Sequence, residues 1–386
     1  MKIGIIGAGT MGAGIAQVSA QNGHTTTVVD TSQETLDRAS AKLLATLDKL
    51  KAKGKFSEAE AENIIANIQW TTDLKELADA NFVIEAIIEN LKIKKSLFKD
   101  LESIVSNDCI LASNTSSLSI TSIASVCAHP ERFLGVHFFN PAPIMKLVEI
   151  IPALQTEKES VERSRKLIDG WKKKTVLVKD TPGFIVNKVA RPFYSEAIKM
   201  YEEGLASPEF IDWTLSNDEP GFRMGPFTLT DLIGHDVNYK VTETVWSSFY
   251  FDPRYKPSFA QKRLVEAGWL GKKSGRGFFL YPKEHIDFSL DAEGQIVMQE
   301  IVDRVVYMII NEASDTMFRG IATMEDIDTA MKFGTNYPKG PLEWANEIGL
   351  QNCVDYLDGL HKRFGDDRYR CCPLMRKLAT ENKKFN

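Results

Sequence analysis

Short apolar runs alternate with amphipathic stretches over the first half of the chain, and the second half reads almost wholly as helix. Lys2-Ile3-Gly4-Ile5-Ile6 and Thr25-Thr26-Thr27-Val28-Val29 are strand-like, and further runs recur at 82–87, 109–112, 134–137, 147–151 and 176–178. Helical periodicity fills several of the gaps, as at 93–105 and 157–171. Strands separated by helices predict an α/β domain built on a doubly wound sheet. Asp180-Thr181-Pro182-Gly183 is a turn cluster and marks its end.

The helical half repeats itself. Glu203-Gly204-Leu205-Ala206-Ser207 with Ile211-Asp212 matches Arg319-Gly320-Ile321-Ala322-Thr323 with Ile327-Asp328. Gly225-Pro226-Phe227 matches Gly340-Pro341-Leu342, and Asp252-Pro253-Arg254-Tyr255 matches Asp366-Asp367-Arg368-Tyr369. Shared turn and core residues at a nearly constant offset predict a duplicated helical domain. The expected division is 1–180, 181–283 and 284–386. The copies differ: Asn187 corresponds to Asp303, and a strand-like tail at 271–279 belongs to the first copy alone.

The first strand runs into Gly7-Ala8-Gly9-Thr10-Met11-Gly12, a G-x-G-x-x-G match followed by a helical stretch. In this context Gly7 permits the tight turn, Gly9 admits a pyrophosphate, and Gly12 lets helix and strand pack closely. Thr10 and Met11 open the helix, whose N-terminus faces the phosphates. Asp30 ends the second strand, where a carboxylate accepts ribose hydroxyls and repels a 2′-phosphate. The expected cofactor is therefore NAD rather than NADP.

At 386 residues, with 43% hydrophobic and 26% charged content, the chain is long enough for two or three cores. No apolar run approaches the length of a membrane span, and a net charge of −5 argues against nucleic-acid binding. Met1-Lys2-Ile3 enters a core strand directly, so no signal peptide is expected. Five cysteines without framework spacing point to a reducing, cytoplasmic setting. No histidine cluster accompanies Cys371-Cys372, so no metal site is expected.

The chemistry centres on Val136-His137-Phe138-Phe139-Asn140-Pro141-Ala142-Pro143-Ile144-Met145-Lys146-Leu147-Val148-Glu149, preceded by Ser113-Asn114-Thr115-Ser116-Ser117. Two strands joined by the proline-marked turn would bring Glu149 to the ring of His137. Together with the glycine fingerprint and Asp180-Thr181-Pro182-Gly183-Phe184-Ile185-Val186-Asn187, these motifs resemble the 3-hydroxyacyl-CoA dehydrogenase family over nearly the whole chain. The resemblance implies a Rossmann domain followed by helical domains, and NAD-dependent oxidation of a 3-hydroxyacyl-CoA to the 3-ketoacyl-CoA. It implies that His137 is the base and Glu149 its partner, with Ser116 and Asn187 contacting substrate. It also implies that Asn114 and Glu89 lie near the cofactor. Arginine usually follows the asparagine in the family, where this chain has Lys188.

Family members differ in carrying one helical domain, used for dimerisation, or two in one chain. This chain looks like the second kind, a monomer with an internal pseudo-dimer or else a homodimer. The lysines after Ser32, among them Lys51, Lys53 and Lys55, are candidates for the coenzyme A phosphates. The acyl group is expected to be hydroxybutyryl or hydroxyadipyl, with Arg223 a candidate partner for the second carboxylate of the latter. The competing readings are a hydroxyacid dehydrogenase using Lys188 as base, and a non-catalytic cofactor-binding relative.

Overall fold

Eight strands form one sheet in the order β3-β2-β1-β4-β5-β6-β7-β8. The strands are β1 (Lys2–Ile6), β2 (Thr25–Val29), β3 (Ile68–Thr71), β4 (Phe82–Glu85), β5 (Ile110–Ser113), β6 (Phe133–Phe138), β7 (Leu147–Pro152) and β8 (Lys174–Leu177). A computed structural model describes all residues except Asp218, Glu219 and His285. It divides into two compact units, Met1–Thr181 and Pro182–Asn386.

Strands β3 to β6 run parallel, whereas β7 is antiparallel to β6 and β8 parallel to β7. The central strands β4, β5 and β6 are buried throughout, as their unbroken apolar runs require. Around the sheet lie α1 (Thr10–Gln21), α2 (Gln33–Ala52), α3 (Glu58–Ala66), α4 (Leu91–Glu102), α5 (Ile120–Ala124) and α6 (Lys158–Gly170). Ser57 and Glu60 form a reciprocal capping box at the start of α3. The edge strand β3 was not expected: Ile68-Gln69-Trp70-Thr71 is short and its burial does not alternate. The run expected over 82–87 pairs only as far as Glu85, and the chain then leaves the sheet.

The second unit is helical among its described residues. It contains α7 (Val186–Val189), α8 (Arg191–Glu202), α9 (Pro208–Ser216), α10 (Pro226–Ile233), α11 (His235–Ser248), α12 (Phe259–Glu266), α13 (Ala292–Phe318), α14 (Met324–Gly334), α15 (Pro341–Ile348), α16 (Leu350–Phe364) and α17 (Pro373–Thr380). The tail at 271–279 is not a strand. It has a short 3-10 turn and two isolated bridges, held because the buried Asp231 carboxylate accepts from Phe278 N, Phe279 N and the Tyr281 hydroxyl.

One capping device occurs twice. Asp212 on α9 accepts from Phe227 N and Thr228 N of α10 at 2.8 Å each. Asp328 on α14 accepts from Leu342 N and Glu343 N of α15 at 2.9 and 3.0 Å. Gly225 and Gly340 are required there, since a Cβ at either would lie 2.4 or 2.2 Å from the aspartate Cγ.

Two buried charge clusters tie α13 to α7 and to α8. Lys188 binds Glu312, with Asp315 at 3.2 Å and Thr316 Oγ1 at 3.0 Å, and Tyr255 donates to Glu312 at 2.5 Å. Arg304 contacts Glu196 at 3.3 Å and Glu203 at 2.7 Å, and Tyr369 donates to Glu196 at 3.1 Å. Arg254 and Arg368 complete the respective clusters. Lys188 and Arg304 are fully buried.

Removing one member of such a cluster leaves an uncompensated buried charge, which typically costs about 3–5 kcal/mol. Lys188→Met is expected to lower unfolding stability by about that amount in a denaturant melt, and a negligible change would contradict the assignment. Burial alone would raise the Asp315 carboxyl, but Lys188, Arg254 and Arg319 outweigh it and hold it down to about 2. A pKa below its unfolded value contributes stability above roughly pH 4, lost as pH falls towards about 2. The same melt in Asp315→Asn should show a shallower loss across that window.

Candidate active site

Every candidate of the first unit outside β7 and the α2–α3 region lies at the carboxyl edge of the parallel strands, where ligands of such sheets bind. After β1, Gly7 turns with φ +102°, and a Cβ there would meet Ala86 O at 2.7 Å. A Cβ on Gly12 would lie 1.8 Å from Gly7 O, so the α1 start can approach β1 only with glycine. Gly9 faces open space, and no side chain caps the amides of α1. Asp30 accepts from Ala8 N at 2.8 Å and Ser32 N at 3.1 Å, which fixes its carboxylate beside the glycine turn. Open amides at a helix N-terminus beside a fixed carboxylate fit the pyrophosphate and ribose of a dinucleotide.

His137 and Glu149 are opposite one another in the antiparallel β6–β7 pair. His137 Nδ1 lies 2.7 Å from Glu149 Oε2, with Glu149 fully buried and His137 6% exposed. A carboxylate can only accept, so Nδ1–H donates and the ring's lone pair is left on Nε2. Between the two strands the chain turns through cis Asn140-Pro141. Lys173 braces this loop, donating to Ala142 O at 2.5 Å and Met145 O at 2.7 Å, and burial pushes its ammonium down to about 8.

Ser116 is half-buried on the loop after β5. It does not cap α5; Ser119 does, and Asp180 adds hydrogen bonds from Ile120 N and Thr121 N. Ser116 N donates to Glu89 Oε1 at 2.9 Å, joined by Thr115 Oγ1 at 2.5 Å and Ser117 N at 3.2 Å. Burial alone would raise the Glu89 carboxyl, but the Thr115 hydroxyl, the Lys94 charge and these serine donors outweigh it and lower it. Beneath lies a buried layer: Lys94 binds Glu85 at 2.5 Å and Glu89 at 3.4 Å, and Ser113 Oγ donates to Glu85 at 2.6 Å. Asn114 Oδ1 accepts from Phe138 N at 2.8 Å, tying the serine loop to the residue after His137.

Residues 2–181 match the model of the 3-hydroxyacyl-CoA dehydrogenase NAD binding domain, and 183–281 and 301–385 each match that of the C-terminal domain. A 3-hydroxyadipyl-CoA dehydrogenase of Escherichia coli K12 is 38% identical, over 98% of this chain and 97% of that one. A probable 3-hydroxybutyryl-CoA dehydrogenase of Deinococcus radiodurans is 44% identical over 73% of this chain and 100% of its own. The crystal structure of 3-hydroxybutyryl-CoA dehydrogenase from Escherichia coli K12 superposes with a TM-score of 0.94, at 37% identity, over 99% of this chain and 98% of that one. The chain belongs to the 3-hydroxyacyl-CoA dehydrogenase family. It is accordingly an oxidoreductase with NAD as cofactor.

The remaining candidates of this dehydrogenase are scattered. Lys51 pairs with Glu58 at 2.8 Å and Asp48 at 3.0 Å, whereas Lys53 and Lys55 are exposed. Asn187 and Arg223 belong to the second unit; Asn187 is half-buried on α7, and Arg223 is exposed on a cavity that Glu209 also lines. Lys188 is no free base, because its three N–H groups meet Glu312, Asp315 and Thr316. Sequence reasoning missed Glu85, Lys94 and Lys173. Lys94 had a readable signal: it occupies a core position in the Leu91, Lys94, Phe98, Leu101 stripe of α4. No helix among the described residues is long and apolar enough to cross a membrane.

The Asp30 geometry predicts discrimination against NADPH. A 2′-phosphate beside that carboxylate costs several kcal/mol, so kcat/KM with NADPH should be roughly a hundredfold or more below that with NADH. Comparable values for the two cofactors in steady-state kinetics would refute the role of Asp30.

Proposed function

We propose that His137 and Glu149 are the acid–base pair of a reversible (S)-3-hydroxyacyl-CoA oxidation. The observation that carries this is the buried 2.7 Å contact that assigns the ring's lone pair to Nε2. His137 Nε2 takes the proton of the substrate's 3-hydroxyl as the C3–H electron pair leaves. Glu149 fixes the tautomer and stabilises the imidazolium that forms. NAD, when bound, supplies the hydride acceptor. In the reverse direction the imidazolium returns the proton to the oxygen of the 3-ketone.

Ser116 and Asn187 hydrogen-bond the reacting oxygen or the thioester carbonyl. Glu89 holds the serine loop through Thr115, Ser116 and Ser117 and lies near the nicotinamide ribose, and Asn114 serves the cofactor side of the same loop. Lys53 and Lys55 are better placed than Lys51 to meet the coenzyme A phosphates, since Lys51 is committed to Glu58 and Asp48.

For the acyl group, the relative matched from end to end, named for 3-hydroxyadipyl-CoA, favours a dicarboxylic chain. The equally full-length structural match, a 3-hydroxybutyryl-CoA dehydrogenase, favours a short one. Rates with a series of 3-ketoacyl-CoA substrates separate the two.

The helical unit is read as two copies of one domain forming a pseudo-dimer. The crossed pairing supports this: Lys188 of the first copy binds Glu312 of the second, and Arg304 of the second binds Glu196 of the first. Such reciprocity is the signature of an isologous two-fold interface. The second copy has Asp303 in place of Asn187, so its role is packing rather than catalysis. A chain cut before Ser289 should expose the α8 face and dimerise or aggregate in size-exclusion chromatography. A monodisperse, fully active monomer would exclude this role.

His137→Gln should lower kcat by roughly two to four powers of ten, the range for a lost acid–base group, with NADH affinity little changed. Glu149→Gln should lower kcat and shift its pH profile. Near-normal turnover of the histidine variant would sink the pair.

A further inference from the structure

We propose that Arg191 receives a second carboxylate on the acyl chain, which makes the substrate of this site a dicarboxylic acyl-CoA. The proposal rests on the reading above that Asn187 meets the reacting end of the substrate.

Arg191 is 5% exposed and sits at the start of α8. Its Nε donates to Asn187 O at 2.9 Å and its Nη1 to Thr242 Oγ1 at 3.0 Å, with the guanidinium 5.0 Å from the Tyr194 ring. Arg132, Arg254, Arg304 and Arg368 are similarly buried, and each has a carboxylate within 4.0 Å. Arg191 has no carboxylate partner among the described residues. Burial lowers its guanidinium, opposed only by the phenols of Tyr194 and Tyr337. A buried cation without its anion is a costly arrangement. It calls for a function.

The surroundings suit a polar chain end. Arg191 lines a cavity of 680 Å³ within the helical unit, together with Asn238, Thr242 and Trp246. The buried indole nitrogen of Trp246 meets no acceptor. The acids on the same cavity are engaged elsewhere: Glu202 with Ala260 N, Asp366 with Arg368, and Asp367 with His361.

The spacing fits a six-carbon diacid. Helical turns connect α7 to α8, with Ala190 N on Val186 O at 2.9 Å, so Asn187 and Arg191 stand one turn apart. One turn is about 5.4 Å. From C3 of a hydroxyadipyl chain to its terminal carboxylate is about 4–5 Å by bond lengths. A guanidinium can then take the carboxylate through two parallel hydrogen bonds. Exposed Arg223 offers no comparable desolvated site.

The test compares chains of equal length with and without the charge. Rates are measured for 3-oxoadipyl-CoA and 3-oxohexanoyl-CoA, and binding of adipyl-CoA and hexanoyl-CoA by calorimetry, for the unaltered protein, Arg191→Met, Arg191→Lys and Arg223→Ala. The unaltered protein should favour the diacid by on the order of ten- to a hundredfold in both readouts. Arg191→Met should abolish that ratio, and Arg191→Lys should keep part of it. Equal losses on both chains, or a ratio that collapses only in Arg223→Ala, would overturn the assignment. A protein without preference for the diacid would overturn it with no variant needed. Failure of the unaltered protein to reduce either 3-oxo chain would instead overturn the placement of the reacting end on which the proposal rests.

Discussion

The register of β6 against β7 is the constraint on which the candidate active site depends. Side chains alternate across a strand, so slipping the pair by one residue would turn His137 and Glu149 to opposite faces. Both strands are apolar and buried on either side, leaving no polar face to choose the register. The His137–Glu149 hydrogen bond itself supplies that choice, because an unpaired Glu149 at full burial would cost several kcal/mol. The loop between the strands adds a second restraint, since Lys173 holds two of its carbonyls. On the proposed acid–base role, proton chemistry and strand pairing are therefore one requirement.

The same logic runs beneath the serine loop. Glu85 and Lys94 are almost completely buried, and their pairing lets Lys94 reach Glu89 at the surface of the layer. Glu89 gathers the donors of Thr115, Ser116 and Ser117, whose strands and helices do not otherwise define that loop. A buried ion pair is weak evidence for stability, since desolvation offsets much of its attraction. Its value here is positional: the carboxylate can sit in only one place.

The motifs carried by contiguous residues were legible. The glycine turn, Asp30 and the His137-to-Glu149 block are local in sequence, and each has a physical reason for its spacing. The run of strands was legible for the same cause, apart from β3, whose half-exposed edge position gives it no clean pattern. What the sequence concealed lies in pairings over distance. Nothing local marks Lys173 as the brace of a loop some thirty residues earlier, or Asp180 as a cap on α5. The tail at 271–279 reads as strand because its aromatic residues suit one, yet its amides go to a single buried aspartate.

On the proposed duplication, the two halves of the helical unit divergently answer one question, what to do at the face that follows the Asn187 position. Asn187 corresponds to Asp303, which accepts from Gln299 and whose carboxyl is raised by burial. Arg191 corresponds at the same offset to Tyr307, and Tyr307 stacks on Tyr356 with ring centres 4.4 Å apart. The second half closes that face with two aromatic rings, which bury apolar area and need no counter-ion. The first half keeps a buried cation on the wall of a cavity. Stability alone would favour the aromatic solution on both sides. Retaining the costlier arrangement beside Asn187 is what the proposed binding site for a charged chain end requires.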